Sequence, residues 1–172
     1  MNFEDYIANV PNFPIEGIQF KDITTLIIDK DAFKAAIDEL AAFGKKLGAN
    51  VVMGPDARGF IFGCPVAYAM GVGFVPVRKP GKLPRETIKE SYSLEYGKNE
   101  LEINKDAFKK GDKVLIVDDL MATGGTVVAS IKLAEKLGAE VVGVATVIEL
   151  TELEGAKKLN NIPFYSLVKY NI

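Results

Sequence analysis

The chain of 172 residues contains no histidine and a single cysteine, Cys64. The lack of histidine excludes Ser-His-Asp and Cys-His nucleophile systems, and it also excludes histidine-ligated metal sites. One cysteine excludes an internal disulfide and a thiolate cluster, which is typical of a reducing compartment, so we expect a cytoplasmic protein. Cys64 itself is expected on a helix, in the core. Any chemistry must therefore come from carboxylates, lysines, arginines, hydroxyls, backbone amides or an oxygen-loving cation.

The chain also lacks a strong net charge and a clear membrane segment. Its 21 basic and 23 acidic residues give a net charge of −2, so no positive field indicates nucleic-acid binding. Acidic residues and prolines interrupt the N-terminus before the apolar core of a signal peptide can form. One uncharged stretch, residues 59–77, is at the lower end of the length needed to span a bilayer. Because it contains four glycines and two prolines, we expect a buried helix and strand there, and no membrane partner.

Length and composition indicate one globular domain over residues 1–172. Apolar spacing predicts a helix that begins near Asp31 and ends at Gly48, and further helices over residues 59–70 and 127–137. Short buried strands are expected over residues 51–53, which a turn at Gly54-Pro55 would close, and over 74–78, 114–117 and 141–148. Alternating strands and helices predict parallel pairing with right-handed crossovers. The fold class is therefore α/β, with an open, mostly parallel sheet flanked by helices.

One polar segment, about residues 79–103, interrupts this alternation. Ile88, Tyr92, Leu94 and Tyr96 recur at even positions in it, which predicts an exposed antiparallel excursion with weak burial. A long charged insertion in a compact α/β domain is usually a lid or a disordered loop. We expect residues 79–103 to form a flexible lid.

The segment of residues 114–126, VLIVDDLMATGGT, carries the strongest functional signal. A buried strand delivers two adjacent carboxylates, Asp118 and Asp119, and a tight glycine turn then opens a helix. Such a turn can direct successive N–H groups and the helix N-terminus at one anion. The turn also offers hydroxyl donors and glycines that allow close approach, in the order Ala122, Thr123, Gly124, Gly125 and Thr126.

A ribose 5-phosphate suits this arrangement, with the phosphate in the turn and the 2′ and 3′ oxygens against Asp118 and Asp119. The segment contains neither G-x-G-x-x-G nor the lysine that a Walker loop requires. A structural alternative is an acidic strand end followed by a capped helix without a ligand.

This segment resembles the thirteen-residue signature of type I phosphoribosyltransferases, which bind 5-phosphoribosyl 1-diphosphate (PRPP). Further segments stand in the family's order over nearly the whole chain: Phe13-Pro14, residues 20–23 (FKDI), 55–60 (PDARGF), 78–84 (RKPGKLP) and 91–97 (SYSLEYG). The last two segments narrow the resemblance to the members that act on adenine.

The resemblance implies a magnesium-dependent reaction of adenine with PRPP that gives AMP and pyrophosphate, a step of purine salvage. The Mg²⁺ would arrive with PRPP and no metal would be bound by the protein alone, since substrate oxygens and water would supply most ligands. It also implies a homodimer and a small N-terminal hood, about residues 1–28. Two alternatives stay open: transfer to another base such as xanthine, and a PRPP-sensing regulator that does no chemistry.

The resemblance also assigns roles to individual residues. The phosphate and ribose would be bound by Asp118, Asp119, Ala122, Thr123, Gly124, Gly125 and Thr126. Pyrophosphate would be bound by Asp56, Ala57, Arg58, Arg78, Lys79 and Lys82, with a cis peptide between Asp56 and Ala57. Adenine would contact Phe20, Lys21 and Leu150. Glu95 would be the catalytic carboxylate, assisted by Arg58, and Tyr96 would close over the site.

Some of these residues also have purely structural explanations. Arg78, Lys79 and Lys82 could form a solvated basic surface, and Glu95 could be a surface glutamate in a hairpin. Lys21 departs from the pattern, because several members carry arginine there; its backbone is expected to contact the base.

Overall fold

The computed structural model describes residues 1–94 and 97–172. Its strands and helices follow one another as β1 (Ala8–Pro11), β2 (Gln19–Asp22), α1 (Thr24–Ile27), α2 (Lys30–Lys46), β3 (Val51–Pro55), α3 (Arg58–Met70), β4 (Gly73–Val77), β5 (Thr87–Leu94), β6 (Gly97–Asn104), β7 (Lys113–Met121), α4 (Gly125–Lys136), β8 (Glu140–Leu150) and β9 (Phe164–Tyr170). Short 3-10 helices cover Phe3–Tyr6, Thr151–Leu153 and Gly155–Leu159.

The central sheet has five strands in the order β4-β3-β7-β8-β9, and every neighbouring pair is parallel. This confirms the predicted α/β fold with parallel pairing. Both faces of the sheet are covered: Leu115 and Val117 of β7 belong to a core shared with α2 and α3, whereas Val114 and Ile116 belong to a second core under α4. Burial on both faces explains why this strand is an unbroken apolar run rather than an alternating one.

Several element boundaries differ from the sequence-based ones because of contacts with neighbours. The helix expected near Asp31 begins at Lys30, since the Asp29 carboxylate accepts the backbone N–H groups of Asp31 and Ala32 at 3.0 and 2.9 Å. The expected turn at Gly54-Pro55 is wrong, because both residues continue the ladder with β4. Likewise, β7 runs on to Met121, because β8 extends alongside it.

Strands β5 (Thr87–Leu94) and β6 (Gly97–Asn104) pair in antiparallel orientation, as predicted, and together they are called the β5–β6 hairpin. The expectation of weak burial is wrong for β6, since Leu101 and Ile103 are buried in the second core. A bridge from Arg78 to Glu102 joins this strand to the end of β4, so β6 packs against the domain.

The expected core position of Cys64 is also wrong, because its side chain is exposed. The face of α3 that packs on the sheet carries Phe62, Gly63, Val66 and Ala67, and Cys64 lies outside that face. Within residues 1–94 and 97–172, no helix combines the length and apolarity needed to cross a bilayer.

Candidate functional site

Two adjacent carboxylates lie near the carboxyl end of β7, the central strand of the sheet. Asp119 is buried, and its Oδ2 forms an ion pair of 2.9 Å with Nε of Arg58 from the start of α3. The Asp118 Oδ1 atom accepts the backbone N–H of Asp119 at 2.7 Å. Burial raises the pKa of Asp118 well above its usual range, and the neighbouring charge of Asp119 raises it further. The two acids therefore differ: Asp119 is paired with an arginine, whereas the pKa of Asp118 is raised by burial and by the charge of Asp119.

The loop from β7 to α4 encloses a cavity of about 270 Å³. Its lining combines the two acids with the glycine turn: Arg58, Tyr92, Asp118, Asp119, Leu120, Met121, Ala122, Thr123, Gly124, Gly125, Thr126 and Val127. Gly124 has φ +87°, in the left-handed region that favours glycine, and it directly precedes the first turn of α4. The N–H groups of a first helical turn lack intrahelical partners, so this end of the cavity suits an anion. All seven residues expected to bind ribose phosphate line this one cavity.

Gly155 supports the loop from outside the cavity, and the sequence reasoning missed it. A Cβ on Gly155 would overlap the carbonyl oxygen of Ala122, and one on Gly124 would lie 3.0 Å from the carbonyl oxygen of Gly155. The two backbones therefore pack directly on each other. No local pattern around Gly155 indicates this contact, because its partner lies about 30 residues earlier in the chain.

A second cavity, also of about 270 Å³, opens beside the first between the ends of β3 and β7. It is lined by Pro55, Asp56, Ala57, Arg58, Gly59, Asp118, Asp119 and Thr126, of which Arg58, the two acids and Thr126 also line the first cavity. The peptide between Asp56 and Ala57 is cis, as the resemblance implies. The two cavities form one groove at the carboxyl ends of the parallel strands, where open α/β sheets bind ligands.

The basic residues after β4 are not all brought to this groove. Arg78 forms an ion pair of 2.9 Å with Asp56, which lines the second cavity, and its Nη1 donates to the carbonyl oxygen of Lys82 at 3.4 Å. The side chains of Lys79 and Lys82 are exposed and line neither cavity. Arg78 is therefore connected to the groove through its ion pair with Asp56, whereas Lys79 and Lys82 lie at the surface.

The residues expected to contact adenine come from opposite ends of the chain. The ring of Phe20 lies 6.0 Å from the guanidinium carbon of Arg58, and it meets Phe13 edge-to-face at 5.2 Å. The side chain of Lys21 points toward β1 and the end of β9: its Nζ donates to Oδ1 of Asn9 at 2.9 Å and lies 4.3 Å from the ring centre of Tyr170. Leu150 is the last residue of β8 and is partly buried against the first core.

Glu95 and Tyr96 lie outside the described residues. Tyr92 of the same hairpin lines the first cavity, although the sequence analysis gave it no role at the site. Within the part of the chain that the structure describes, no group of three or more acidic or cysteine side chains could hold a metal ion.

The parallel sheet, the glycine loop after β7 and the paired acids define a phosphoribosyltransferase, and residues 24–167 match the profile of the Phosphoribosyl transferase domain. The chain is 56% identical, over all 172 residues and the full length of both chains, to an adenine phosphoribosyltransferase from Clostridium kluyveri. It belongs to the adenine phosphoribosyltransferase family.

Solved structures of the same family have the same fold. The enzyme from Thermoanaerobacter pseudethanolicus superposes with a TM-score of 0.93 at 50% identity, and 98% of each chain is covered. The enzyme from Saccharomyces cerevisiae, solved with an imino-altritol bisphosphate and adenine, gives a TM-score of 0.89 at 41% identity over 96% of each chain.

Proposed function

We propose that this protein transfers the 5-phosphoribosyl group of PRPP to adenine, which yields AMP and pyrophosphate in purine salvage. The observation that carries this proposal is the continuous groove, in which a glycine loop with paired acids adjoins the Asp56–Ala57 segment through Arg58. One cavity suits a ribose 5-phosphate and the other suits the departing pyrophosphate. The full-length identity of 56% to an adenine phosphoribosyltransferase supports adenine as the acceptor.

In this assignment, the loop of residues 122–126 binds the 5-phosphate through backbone N–H groups and the hydroxyls of Thr123 and Thr126. Asp118 and Asp119 face the 2′ and 3′ hydroxyls of the ribose. Because Asp119 is already neutralised by Arg58, the acids can bind the sugar without presenting two full negative charges to the phosphates. The ribose is thereby held between its phosphate and its hydroxyls, with C1′ toward the second cavity.

When the C1′–O bond breaks, pyrophosphate leaves with the electron pair, and a C1′–N bond to adenine forms. We assign stabilisation of the departing charge to Arg58 and to the backbone of Asp56 and Ala57, with Arg78 orienting Asp56. Lys79 and Lys82 belong to this set only if substrate binding draws their exposed side chains inward.

Mg²⁺ is the cofactor that we assign to this reaction, and it would enter with PRPP. The donor set near the groove fits this role, because one of its two acids is already paired with Arg58 and so leaves most ligand positions to substrate oxygens and water. The ion would supply charge neutralisation on the diphosphate.

Adenine would bind between the hood (residues 1–28) and the end of β8, against Phe20 and Leu150. The side chain of Lys21 points toward Tyr170, which leaves its backbone to contact the base. As the C1′–N bond forms, the Glu95 carboxylate would accept the proton that the purine loses near N7 or N9. Tyr96 would close over the site, within a lid of residues 79–103.

A homodimer is the assembly that we propose, and exposed apolar side chains support it. Ile28 and Tyr68 are 85% and 89% exposed, and contact with a second copy of the chain would remove these apolar surfaces from water. Replacing Tyr68 with Asp should lower the sedimentation coefficient to that of a monomer, whereas Ile172→Asp, at the 40% exposed C-terminal residue, should not. We place the protein in the cytoplasm because its single cysteine is typical of a reducing compartment, and we propose no membrane partner and, given a net charge of −2, no nucleic-acid partner.

The proposed function is tested by incubating the purified protein with PRPP, Mg²⁺ and a panel of bases, and by separating the nucleotides formed. We expect AMP from adenine, release of pyrophosphate, and little product from hypoxanthine, guanine or xanthine. Formation of XMP instead would reassign the acceptor. Tight PRPP binding in calorimetry without any nucleotide product would indicate a PRPP-sensing regulator.

A further inference from the structure

The glycine at position 125 is explained by a close contact with a neighbouring side chain and not by its backbone conformation. Among the loop glycines, Gly124 alone has a positive φ, so the conformation at Gly125 is open to any residue. A Cβ on Gly125 would nevertheless lie 3.0 Å from Cδ2 of Tyr92, and the next two atoms near it also belong to the Tyr92 ring, at 3.6 and 3.7 Å. The ring of Tyr92 therefore rests on the first residue of α4.

A second contact joins the same strand to the other end of the same helix. Nζ of Lys136, in the last turn of α4, lies 2.7 Å from a carboxylate oxygen of Glu90 and donates to the carbonyl oxygen of Lys89 at 2.9 Å. Strand β5 thus contacts both the first and the last turn of α4. The end that Tyr92 contacts is the end that presents N–H groups to the phosphate cavity, and Tyr92 lines that cavity.

We propose that Tyr92 is a positioning residue for the ribose phosphate: its ring packs on Gly125, closes one side of the phosphate cavity and holds the β5–β6 hairpin in register with the first turn of α4. This inference rests on the proposed function. The ring fills the space that a side chain at position 125 would otherwise occupy, so the glycine and the tyrosine form one complementary pair. This positioning depends on the aromatic ring of Tyr92 and not on its phenolic hydroxyl.

Steady-state kinetics and calorimetry on three variants test this role. Tyr92→Ala should raise the KM and the dissociation constant for PRPP by about tenfold, whereas the KM for adenine should stay within about twofold. The reason is that only the phosphate cavity loses a lining side chain. Tyr92→Phe should bind PRPP like the parent. Tyr165→Ala, which removes a tyrosine ring that stacks on Phe43 of α2 and lines neither cavity, is the matched control and should leave PRPP affinity unchanged.

A double-mutant cycle separates contact with the ring from contact with the phosphate. In the parent, Gly125→Ala should weaken PRPP binding, since the new methyl would displace the Tyr92 ring by a few tenths of an ångström. In the Tyr92→Ala background the same substitution should cost little, because the space is then vacant.

An equal loss of affinity from Gly125→Ala in both backgrounds would overturn the inference, because the methyl would then be meeting the phosphate itself. The inference also fails if Tyr92→Phe binds PRPP as poorly as Tyr92→Ala, or if the two KM values rise together. Those outcomes leave the proposed function intact as long as the parent binds PRPP and forms AMP. A parent that does neither would overturn the proposed function and this inference together.

Discussion

Arg58 and Asp119 form an ion pair of 2.9 Å between the first turn of α3 and the carboxyl end of β7. The arginine is about half exposed, whereas the carboxylate is 8% exposed. The buried acid therefore holds the arginine at the boundary between the two cavities. In the proposed assignment, this pair of side chains would couple the position of the ribose to that of the pyrophosphate.

The first prediction concerns that pair. Asp119→Asn should weaken PRPP binding by about 10- to 100-fold, since charge-assisted hydrogen bonds are worth about 1.5–3 kcal/mol. Adenine binding should change much less. Calorimetric titration with PRPP and Mg²⁺ measures the effect, with Asp106→Asn as the control because Asp106 forms an exposed ion pair with Arg85 away from the groove. Parent-like PRPP affinity in Asp119→Asn would mean that the acid only holds Arg58 in place.

Asp118→Asn should stabilise the fold at neutral pH while impairing catalysis. Burial raises the pKa of Asp118, so its carboxyl binds a proton more tightly in the folded protein than in the unfolded chain. Its contribution to stability is present below the unfolded pKa of about 3.9 and is lost as the pH rises through the raised native pKa.

Removing the charge should therefore raise the melting temperature of the variant at pH 7 by about 2–4 °C for each kcal/mol regained. The difference from the parent should disappear near pH 4. Melting curves across this range check the prediction, and a variant that is less stable than the parent at pH 7 contradicts it.

Gly155→Ala should impair PRPP binding although Gly155 lies outside both cavities. The added methyl would overlap the carbonyl oxygen of Ala122 and would crowd Gly124, so the loop must shift. We expect a loss of at least tenfold in kcat/KM for PRPP, or about 1.4 kcal/mol. Gly73→Ala is the matched control, because a Cβ there meets no atom within 4 Å. If the two variants have the same kinetics, the loop tolerates the displacement.

Glu95→Gln should lower kcat by about 10²–10⁴, the range for a positioned general acid or base. The KM values and the melting temperature should change little, because the carboxylate acts as the purine proton moves. Glu100→Gln, on β6, removes an exposed pairing with Lys89 and serves as the control. A kcat within about threefold of the parent, at unchanged stability, would remove Glu95 from the catalytic role.

The α/β class, the parallel pairing of the strands and the glycine loop with its two acids could all be predicted from the amino-acid sequence. These features are local: β7, the glycine turn and α4 are consecutive in the chain, so hydrophobic period and turn chemistry suffice to predict them. The family resemblance added the cis peptide at Asp56–Ala57, which the structure also has.

Tertiary structure alone decided which distant residues complete the site. Tyr92 meets Gly125, and Gly155 meets Gly124, through backbone or ring contacts that no spacing along the chain encodes. The exposure of Cys64 likewise depends on which face of α3 packs on the sheet. Packing joins residues that are tens of positions apart, and local propensity carries no information about such contacts because it depends only on neighbours in sequence.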